Sequence, residues 1–310
     1  MKYGFGVDLG GTAIKFAFFD EAGTLLEKWS IPTPTENCGA NILPDIAEVI
    51  EDFLRQKKIS KDAVLGIGIG VPGPVLPGGT VNRCINLGWG NVAVEKELSA
   101  LTGLPVKAGN DASLAALGEY YYGGGKGCSS MVLVTLGTGV GGGIVIDGKV
   151  LNGAHGAGGE IGHIILEPRE TTPCSCGNRG CAEQYCSATG IVRMVKKALS
   201  STDEPSCLRE KPDFSCKDVF DAAAAGDIPA QQTLEQVYAY MGQFLASVCS
   251  TIDPEMVVFG GGVSHAGQVL LNGVQRYFSQ YIFHAATPIQ FVLAALGNDA
   301  GIYGAFRQLL

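Results

Sequence analysis

Glycine clusters constrain the fold of this chain more than any other feature of its sequence. The 310 residues include 45 glycines, about twice the average share. Many of these glycines lie in five stretches, each of which ends an apolar, β-branched run. The stretches are Asp8–Thr12, Gly66–Gly79, Leu136–Gly143, His155–Gly162 and Phe259–Gly262. This pattern is typical of strands that lead into tight turns.

The remaining hydrophobic patterns alternate between strands and helices. Helical stripes run through Leu43–Leu54 and through Pro229–Ile252. The predicted strands are Phe5–Val7, Ala13–Phe19, Val64–Ile69, Met131–Thr135, Gly143–Ile146, Val257–Phe259 and Gln290–Leu293. Strands mixed with helices in this way predict an α/β fold.

Composition and charge exclude several classes of protein. With 46% hydrophobic and 17% charged residues, the chain has too much apolar surface and too little charge for disorder. Its net charge of −8 argues against partners such as nucleic acid or an anionic membrane. The start of the sequence does not resemble a signal peptide, and the uncharged stretch 127–146 contains six glycines, which favour a hairpin over a membrane helix. We therefore expect a cytoplasmic protein whose ten cysteines are thiols or metal ligands.

A weak internal repeat suggests how the chain is divided. A strand turns through Asp8–Thr12 into a second strand, and the same arrangement recurs around Leu136–Gly143. Together with the length, the repeat predicts two α/β lobes with their glycine turns facing a common cleft. We expect a small lobe at residues 1–109, to which a C-terminal helix at about 301–310 returns, and a large lobe at residues 110–300.

The first glycine turn has the composition of a phosphate-binding loop. Gly10 and Gly11 leave backbone N–H groups unobstructed, and Thr12 adds a hydroxyl. Asp8 is placed to hold a hydrated Mg²⁺, and Lys15 is a candidate to neutralise phosphate. An ordinary hairpin turn is the alternative interpretation.

Two further glycine turns repeat or extend this chemistry. The second turn predicts another phosphate contact, and the third, which follows a strand and precedes a helical stretch at Gln268–Tyr281, could lie under an adenine ring. A close helix–strand packing turn is the alternative for the third. The nucleotide-binding candidates in these two turns are Gly137, Thr138, Gly139, Gly260, Gly261 and Gly262. The sequence contains neither a P-loop nor a GxGxxG motif that opens a helix.

A carboxylate at the start of a helical stretch is the candidate catalytic base. Asp111 precedes the stretch Ser113–Tyr122, where Asp is ordinarily an N-cap. If a hydroxyl must attack a γ-phosphoryl group, one carboxylate has to accept its proton, and Asp111 is suited to that role. Asn110, both donor and acceptor, suits a sugar hydroxyl.

Three closely spaced thiols predict a metal site. Cys174, Cys176 and Cys181 lie within eight residues among glycines, and Zn²⁺ prefers four tetrahedral N or S ligands. His163, the nearest upstream histidine, is the candidate fourth ligand, so that the zinc-binding segment is 163–183. Buried or reactive cysteines with a core histidine are the alternative, and Cys186 has no evident role.

Taken together, these motifs resemble the ROK family of repressors and sugar kinases, within the actin-like ATPase superfamily. DLGGTAIK, LGTGVGGG and VFGGGV match its nucleotide motifs, and CSCGNRGCAE and GEIGH match its zinc and sugar segments. The resemblance covers nearly the whole chain, and the stretch Asn86–Trp89 resembles the bacterial glucokinases of the family. Ser113 departs from the family's usual NDAN, which puts the contacts of that position in doubt.

The resemblance implies an α/β fold of two actin-like (ribonuclease H-like) lobes with a nucleotide and sugar cleft between them. It implies ATP-dependent phosphorylation of a hexose, most simply glucose to glucose 6-phosphate, with Mg²⁺ and a structural Zn²⁺. Asp111 would be the base, and the metal ligands would be the three cysteines and His163. The implied sugar contacts are Asn110, Asp111, Glu160, His163 and Glu183. The family tendency predicts a homo-oligomer, a dimer or tetramer.

Several alternatives remain within and beyond this interpretation. A kinase of N-acetylmannosamine, N-acetylglucosamine or fructose would use the same hydroxyl-reading residues. A ROK transcriptional regulator would need a helix-turn-helix module, for which the sequence before Asp8 has no room. An ATPase whose output is motion would have no use for a sugar segment braced by zinc.

Overall fold

The computed structural model describes the backbone of residues 1–310 and every side chain except that of Ile85. Its strands and helices alternate along the chain, which confirms the predicted α/β class. The strands are β1 (Tyr3–Leu9), β2 (Ala13–Asp20), β3 (Leu25–Pro32), β4 (Val64–Val71), β5 (Val75–Leu76), β6 (Thr80–Cys84), β7 (Trp89–Ala93), β8 (Val106–Asn110), β9 (Ser130–Leu136), β10 (Val140–Ile146), β11 (Lys149–Val150), β12 (Met256–Gly260) and β13 (Gln290–Leu293).

The helices vary from single turns to a helix of 25 residues. The α-helices are α1 (Glu36–Gly39), α2 (Ile42–Lys57), α3 (Val94–Thr102), α4 (Asp111–Tyr122), α5 (Glu183–Cys186), α6 (Ala188–Ser200), α7 (Cys216–Ala224), α8 (Ile228–Ile252), α9 (Gln268–Tyr281) and α10 (Ala300–Arg307). Short 3₁₀ helices occupy Lys61–Ala63, Ile85–Leu87, Ile161–His163, Cys207–Glu210, Gly262–Ala266 and Gly297–Asp299. Within the described chain, no helix is both long enough and apolar enough to cross a bilayer.

The chain forms two compact units. The first contains residues 1–127, 143–159 and 295–310, and the second contains residues 128–142 and 160–294. The predicted lobe boundary near residue 110 remains a prediction. In the structure, α4 belongs to the first unit because it packs on α10.

The first unit is built on a mixed sheet with the strand order β3-β2-β1-β4-β8. β1 and β2 are antiparallel, whereas β4 and β8 run parallel to β1. The carboxyl ends of three parallel strands therefore meet at one edge, with Asp8 opposite Gly70 and Val71 opposite Asn110. This edge positions the first group of candidate site residues.

Glycines allow α10 to pack directly on this sheet and on α4. A Cβ at Gly68 of β4 would lie 1.7 Å from the carbonyl oxygen of Ala305, and one at Gly304 of α10 would lie 1.7 Å from that of Leu114. Larger residues would force these backbones apart. The sequence prediction of a helix near residues 301–310 is thus matched by α10, whose Phe306 stacks on Phe19 with ring centroids 4.5 Å apart.

The second five-stranded sheet repeats this strand arrangement. β12 runs parallel to both β9 and β13, and the order of the second sheet is β11-β10-β9-β12-β13. When the strands of each sheet are numbered by their order along the chain, both sheets have the same spatial order: third, second, first, fourth, fifth. This shared order confirms the predicted internal repeat. The buried helix α8 packs against α9 beside the second sheet.

Candidate active site

The first glycine turn connects β1 to β2. The N–H of Gly10 donates to the carbonyl of Ala13 at 3.0 Å, and the Thr33 hydroxyl donates to the Gly10 carbonyl at 2.6 Å. Gly11 and Thr12 are exposed, and a Cβ at Gly11 would meet no atom within 4 Å. The tip of the turn therefore has open space in front of it, as a phosphate-binding loop requires.

Asp8 lies at the end of β1 and pairs with Lys15. Their side chains are 3.1 Å apart, and the Lys15 ammonium also donates to the carbonyl of Asn298 at 2.9 Å. The Asp8 side chain is 18% exposed, so its carboxylate is available to an outer-sphere cation. Lys15 neutralises Asp8 in this structure, and its predicted phosphate contact remains a prediction.

Asn110, and not Asp111, caps helix α4. The Asn110 side-chain oxygen accepts from the N–H of Ser113 at 3.0 Å, so the alternative that Asp111 is the N-cap is wrong. One oxygen of Asp111 accepts from its neighbours, the side-chain amide of Asn110 at 3.0 Å and the N–H of Ala112 at 2.8 Å. These bonds fix the orientation of the carboxylate at the helix start, where the helix dipole favours negative charge.

Ser113, the departure from the family pattern, is only 2% exposed. A Cβ at Gly143 would lie 3.2 Å from its Cα, so this turn of α4 packs tightly against β10. A small residue at position 113 suits that packing.

The second glycine turn, between β9 and β10, is supported by the first residues of helix α6. The Gly137 carbonyl accepts from the N–H of Ala188 at 2.8 Å, and the Thr138 carbonyl accepts from the Thr189 hydroxyl at 2.7 Å. A Cβ at Gly137 would meet no atom within 4 Å. Like the first turn, this one leaves its tip open.

The third turn follows β12, as predicted, and leads through a 3₁₀ helix into α9 at Gln268. Gly261 adopts a φ of +78°, and a Cβ there would lie 2.6 Å from the Leu136 carbonyl oxygen at the end of β9. Gly260 ends the strand, and Gly262 faces open space. The second and third turns are therefore adjacent at the carboxyl ends of two parallel strands, β9 and β12.

The four predicted metal ligands converge. One ligand atom from each of His163, Cys174, Cys176 and Cys181 lies within 4.8 Å of the other three. The Cys176 and Cys181 sulfurs are 3.7 Å apart, close to the ~3.8 Å edge of a zinc tetrahedron with Zn–S bonds of about 2.3 Å. His163 directs Nδ1 toward the Cys174 sulfur, at 3.7 Å.

The donor chemistry of this cluster also fits a cation. Burial and the adjacent thiols raise the pKa of Cys181 to about 12, whereas at Cys176 burial is outweighed by hydrogen bonds from the Asn178 backbone and the adjacent thiols, which lower the pKa of that thiol. Three thiols and one imidazole are a donor set that Zn²⁺ prefers. Cys186 is fully buried outside the cluster, and burial raises the pKa of its thiol, so it is an inert core residue.

His163 and Glu160 form a pair on the side of the imidazole opposite the cluster. His163 Nε2 lies 4.0 Å from the Glu160 carboxylate, and both side chains are partly exposed, at 30% and 43%. With Nδ1 directed to the thiols, Nε2 is available to a hydroxyl group. This arrangement supports the predicted sugar contacts of both residues.

Glu183 contacts both the second glycine turn and the segment that contains the predicted metal ligands. One of its carboxylate oxygens accepts from the N–H of Val140 at 3.1 Å, and the other accepts from the Ser175 hydroxyl at 3.0 Å and the Cys174 thiol at 3.5 Å. Glu183 thus joins the metal cluster to the second glycine turn. Its predicted sugar contact remains a prediction.

Sequence reasoning missed the residues that support these loops. Thr189 holds the second turn, and a charged cluster of Glu170, Tyr185 and Arg193 fixes the end of the metal segment to α6. Hydrogen bonds from Thr172, Tyr185 and Arg193 lower the pKa of Glu170 to about 2. The one available signal was the Ser187 cap of α6, which predicts a helix start directly beside the turn.

Paired glycine turns at the carboxyl ends of parallel strands, in two sheets of the same strand order, define a class of phosphate-handling proteins. Comparison with known proteins identifies the family. The chain belongs to the ROK family, whose model matches residues 4–309. It is 41% identical to a glucokinase of Halalkalibacterium halodurans over 96% of this chain and 92% of that protein.

A second glucokinase and a solved structure are similar to this chain over nearly its whole length. A glucokinase of Thermotoga maritima is 35% identical over 97% of this chain and 95% of its own length. The crystal structure of a ROK family glucokinase from Streptomyces griseus, in complex with glucose and AMPPNP, superposes with a TM-score of 0.77. That comparison has 33% identity and covers 99% of this chain and 98% of the other.

Proposed function

We propose that the protein is an ATP-dependent hexose kinase that phosphorylates glucose at its 6-hydroxyl. The observation on which this rests is the placement of Asp8 and Asn110 at the carboxyl edge of the same parallel strands β1, β4 and β8. With strands about 4.8 Å apart, a phosphate-binding turn and the candidate base Asp111 lie on the order of 10 Å from one another. The glucokinase relatives support the same activity.

In the proposed reaction, the Asp111 carboxylate accepts the proton of the sugar hydroxyl as that oxygen attacks the γ-phosphorus of ATP. The new O–P bond forms as the bond to the ADP oxygen breaks. The open amides of the first two glycine turns bind phosphate oxygens, and the third turn lies under the adenosine. Asn110, Glu160, His163 and Glu183 are the proposed sugar contacts.

Asp8 would hold Mg²⁺ through water, as a carboxylate does for a cation that keeps its hydration shell. Zn²⁺, held by His163, Cys174, Cys176 and Cys181, would supply structural order. Four protein ligands fill a tetrahedral site, so substrate does not enter its coordination sphere. His163 would then present Nε2 to the sugar in a fixed tautomer and direction.

We further propose a cytoplasmic location and a role in carbohydrate metabolism such as glycolysis, since the thiol cluster requires a reducing compartment. Dimer or tetramer formation remains the expectation from the family. Small-molecule sugar and ATP are the proposed partners.

A coupled assay of ADP release over a panel of hexoses tests the activity. We expect the highest kcat/KM with glucose, ahead of fructose, N-acetylglucosamine and N-acetylmannosamine. A higher value for an N-acetylated sugar would replace glucose by that substrate. No ADP release above the sugar-free rate with any hexose would reject the kinase assignment, provided that purified protein retains stoichiometric zinc.

A further inference from the structure

A pocket in the first unit is lined by none of the candidate site residues. Its volume is about 460 Å³, within the range of small-molecule sites. Residues of β8, α4, the β10–β11 hairpin and α10 line it, among them Lys107, Lys149 and Arg307. None of the glycine turns contributes to it.

The three cations of this pocket have no acidic side chain as a partner. No ion pair among the described residues involves Lys107, Lys149 or Arg307. The Arg307 guanidinium lies over the Tyr121 ring, 3.8 Å from its centroid, which fixes the cation without neutralising it. No Asp or Glu is among the lining residues, so the side chains of the pocket have an excess of positive charge.

A buried donor also lacks an acceptor here. The Nε2 atom of Gln308 is buried, and it has no hydrogen-bond partner among the described residues. A buried amide without an acceptor is unfavourable, and native structures contain few of them. Gln308 lines the pocket, so a rotation of its side chain on binding would bring this amide to an acceptor oxygen of the ligand.

We propose that this pocket binds a small phosphorylated metabolite. A phosphate monoester has a charge of about −1.5 to −2 and three acceptor oxygens at neutral pH, which matches several cations and an amide donor better than a single carboxylate does. Leu114, Leu117 and Val150 give the pocket an apolar wall for the organic part of the ligand.

The pocket adjoins the elements that carry the candidate catalytic residues, so a bound ligand would contact those elements. Gly109, which lines it, precedes Asn110, and Leu114 lies on the first turns of the helix that begins at Asp111. The opposite end of α10 approaches Asp8, since a Cβ at Gly301 would lie 3.0 Å from the Asp8 carboxyl carbon. All of these contacts are within the first unit.

Isothermal titration of the intact protein with glycerol 3-phosphate tests the proposal. The titration is made alone and with saturating glucose and AMPPNP, which occupy the candidate active site. We expect one-site binding that survives both additions. Lys149→Gln and Lys107→Gln should each weaken it about tenfold, the loss typical of one charge-assisted hydrogen bond. Lys96→Gln, which removes an equal charge from the exposed face of α3, should change it less than about twofold.

The other outcomes overturn the proposal. Binding that glucose and AMPPNP abolish belongs to the active site, and equal loss in Lys96→Gln and Lys149→Gln indicates non-specific charge attraction. Inorganic phosphate that binds as tightly as glycerol 3-phosphate would show a plain anion site without a role for the apolar wall. Because the Lys149→Gln comparison needs no kinase activity, failure of the proposed function leaves this test intact.

Discussion

The two units hold their candidate site residues by different means. In the first unit, Asp8 and Asn110 are positioned by the register of parallel strands, and the glycine turn has one side-chain support, from Thr33. In the second unit, the glycine turn is supported by Thr189 and, through Val140, by Glu183. Glu183 in turn contacts the metal cluster. The same turn motif can therefore be held mainly by its sheet, or also by a segment distant in the sequence that contains the predicted metal ligands.

The largest expected effect concerns the first unit, whose candidate site residues are positioned by strand register. Asp111→Asn should lower kcat by about 10² to 10⁴, because an amide keeps the shape of the side chain but cannot accept the proton. Glucose affinity and zinc content should stay within a few-fold of wild type. Steady-state kinetics, calorimetry and metal analysis measure these quantities, with Asp203→Asn, an exposed carboxylate of the second unit, as the matched control. A variant that retains more than about a tenth of wild-type kcat removes Asp111 from the role of base.

The next largest effect concerns the second unit, whose glycine turn is joined to the predicted metal ligands through Glu183. Cys176→Ala should reduce zinc affinity by more than about tenfold to a hundredfold, the range seen even for residues behind the ligands. Because Glu183 joins the cluster to the second turn, both glucose and AMPPNP binding should weaken. Mass spectrometry and two separate titrations measure this, with Cys207→Ala, an exposed cysteine outside the cluster, as control. Stoichiometric zinc in Cys176→Ala would show that the ligand set is wrong.

Glu183→Ala tests the support of the second glycine turn without removing a predicted metal ligand. The substitution removes the acceptor of the Val140 N–H, a charge-assisted bond of about 1.5–3 kcal/mol, and should weaken AMPPNP binding about tenfold or more in the absence of sugar. Zinc content should remain stoichiometric, since all four ligands are intact. Ser175→Ala, which removes one of the two contacts of Glu183 on the metal side and leaves its contact with Val140 intact, is the control. Equal AMPPNP affinity in wild type and Glu183→Ala would mean that the second turn does not need this support.

The contrast between the units also explains what the sequence could predict. Strands with buried apolar runs and glycine ends were predicted closely, as Val64–Ile69 lies within β4. β3 was missed because it is an edge strand with exposed Leu26, Glu27 and Lys28, which obscure its alternation. The three cysteine ligands were predictable because local spacing places them together, and His163 because it is the nearest upstream histidine. Three-dimensional contacts such as Glu183 with Val140, 43 residues apart, leave no local pattern in a single sequence.

The smallest expected effect compares the two turns directly. Thr33→Val removes the hydroxyl that donates to Gly10, and Thr189→Val removes the one that donates to Thr138. Each loses one neutral hydrogen bond, about 0.5–1.5 kcal/mol. If strand register alone holds the first turn, Thr33→Val should change AMPPNP affinity less than about twofold, whereas Thr189→Val should weaken it about two- to tenfold. Titration of both variants at equal zinc content decides between the two cases. A larger loss in Thr33→Val than in Thr189→Val would reverse the comparison, because it would show that the sheet-positioned turn depends more on side-chain support.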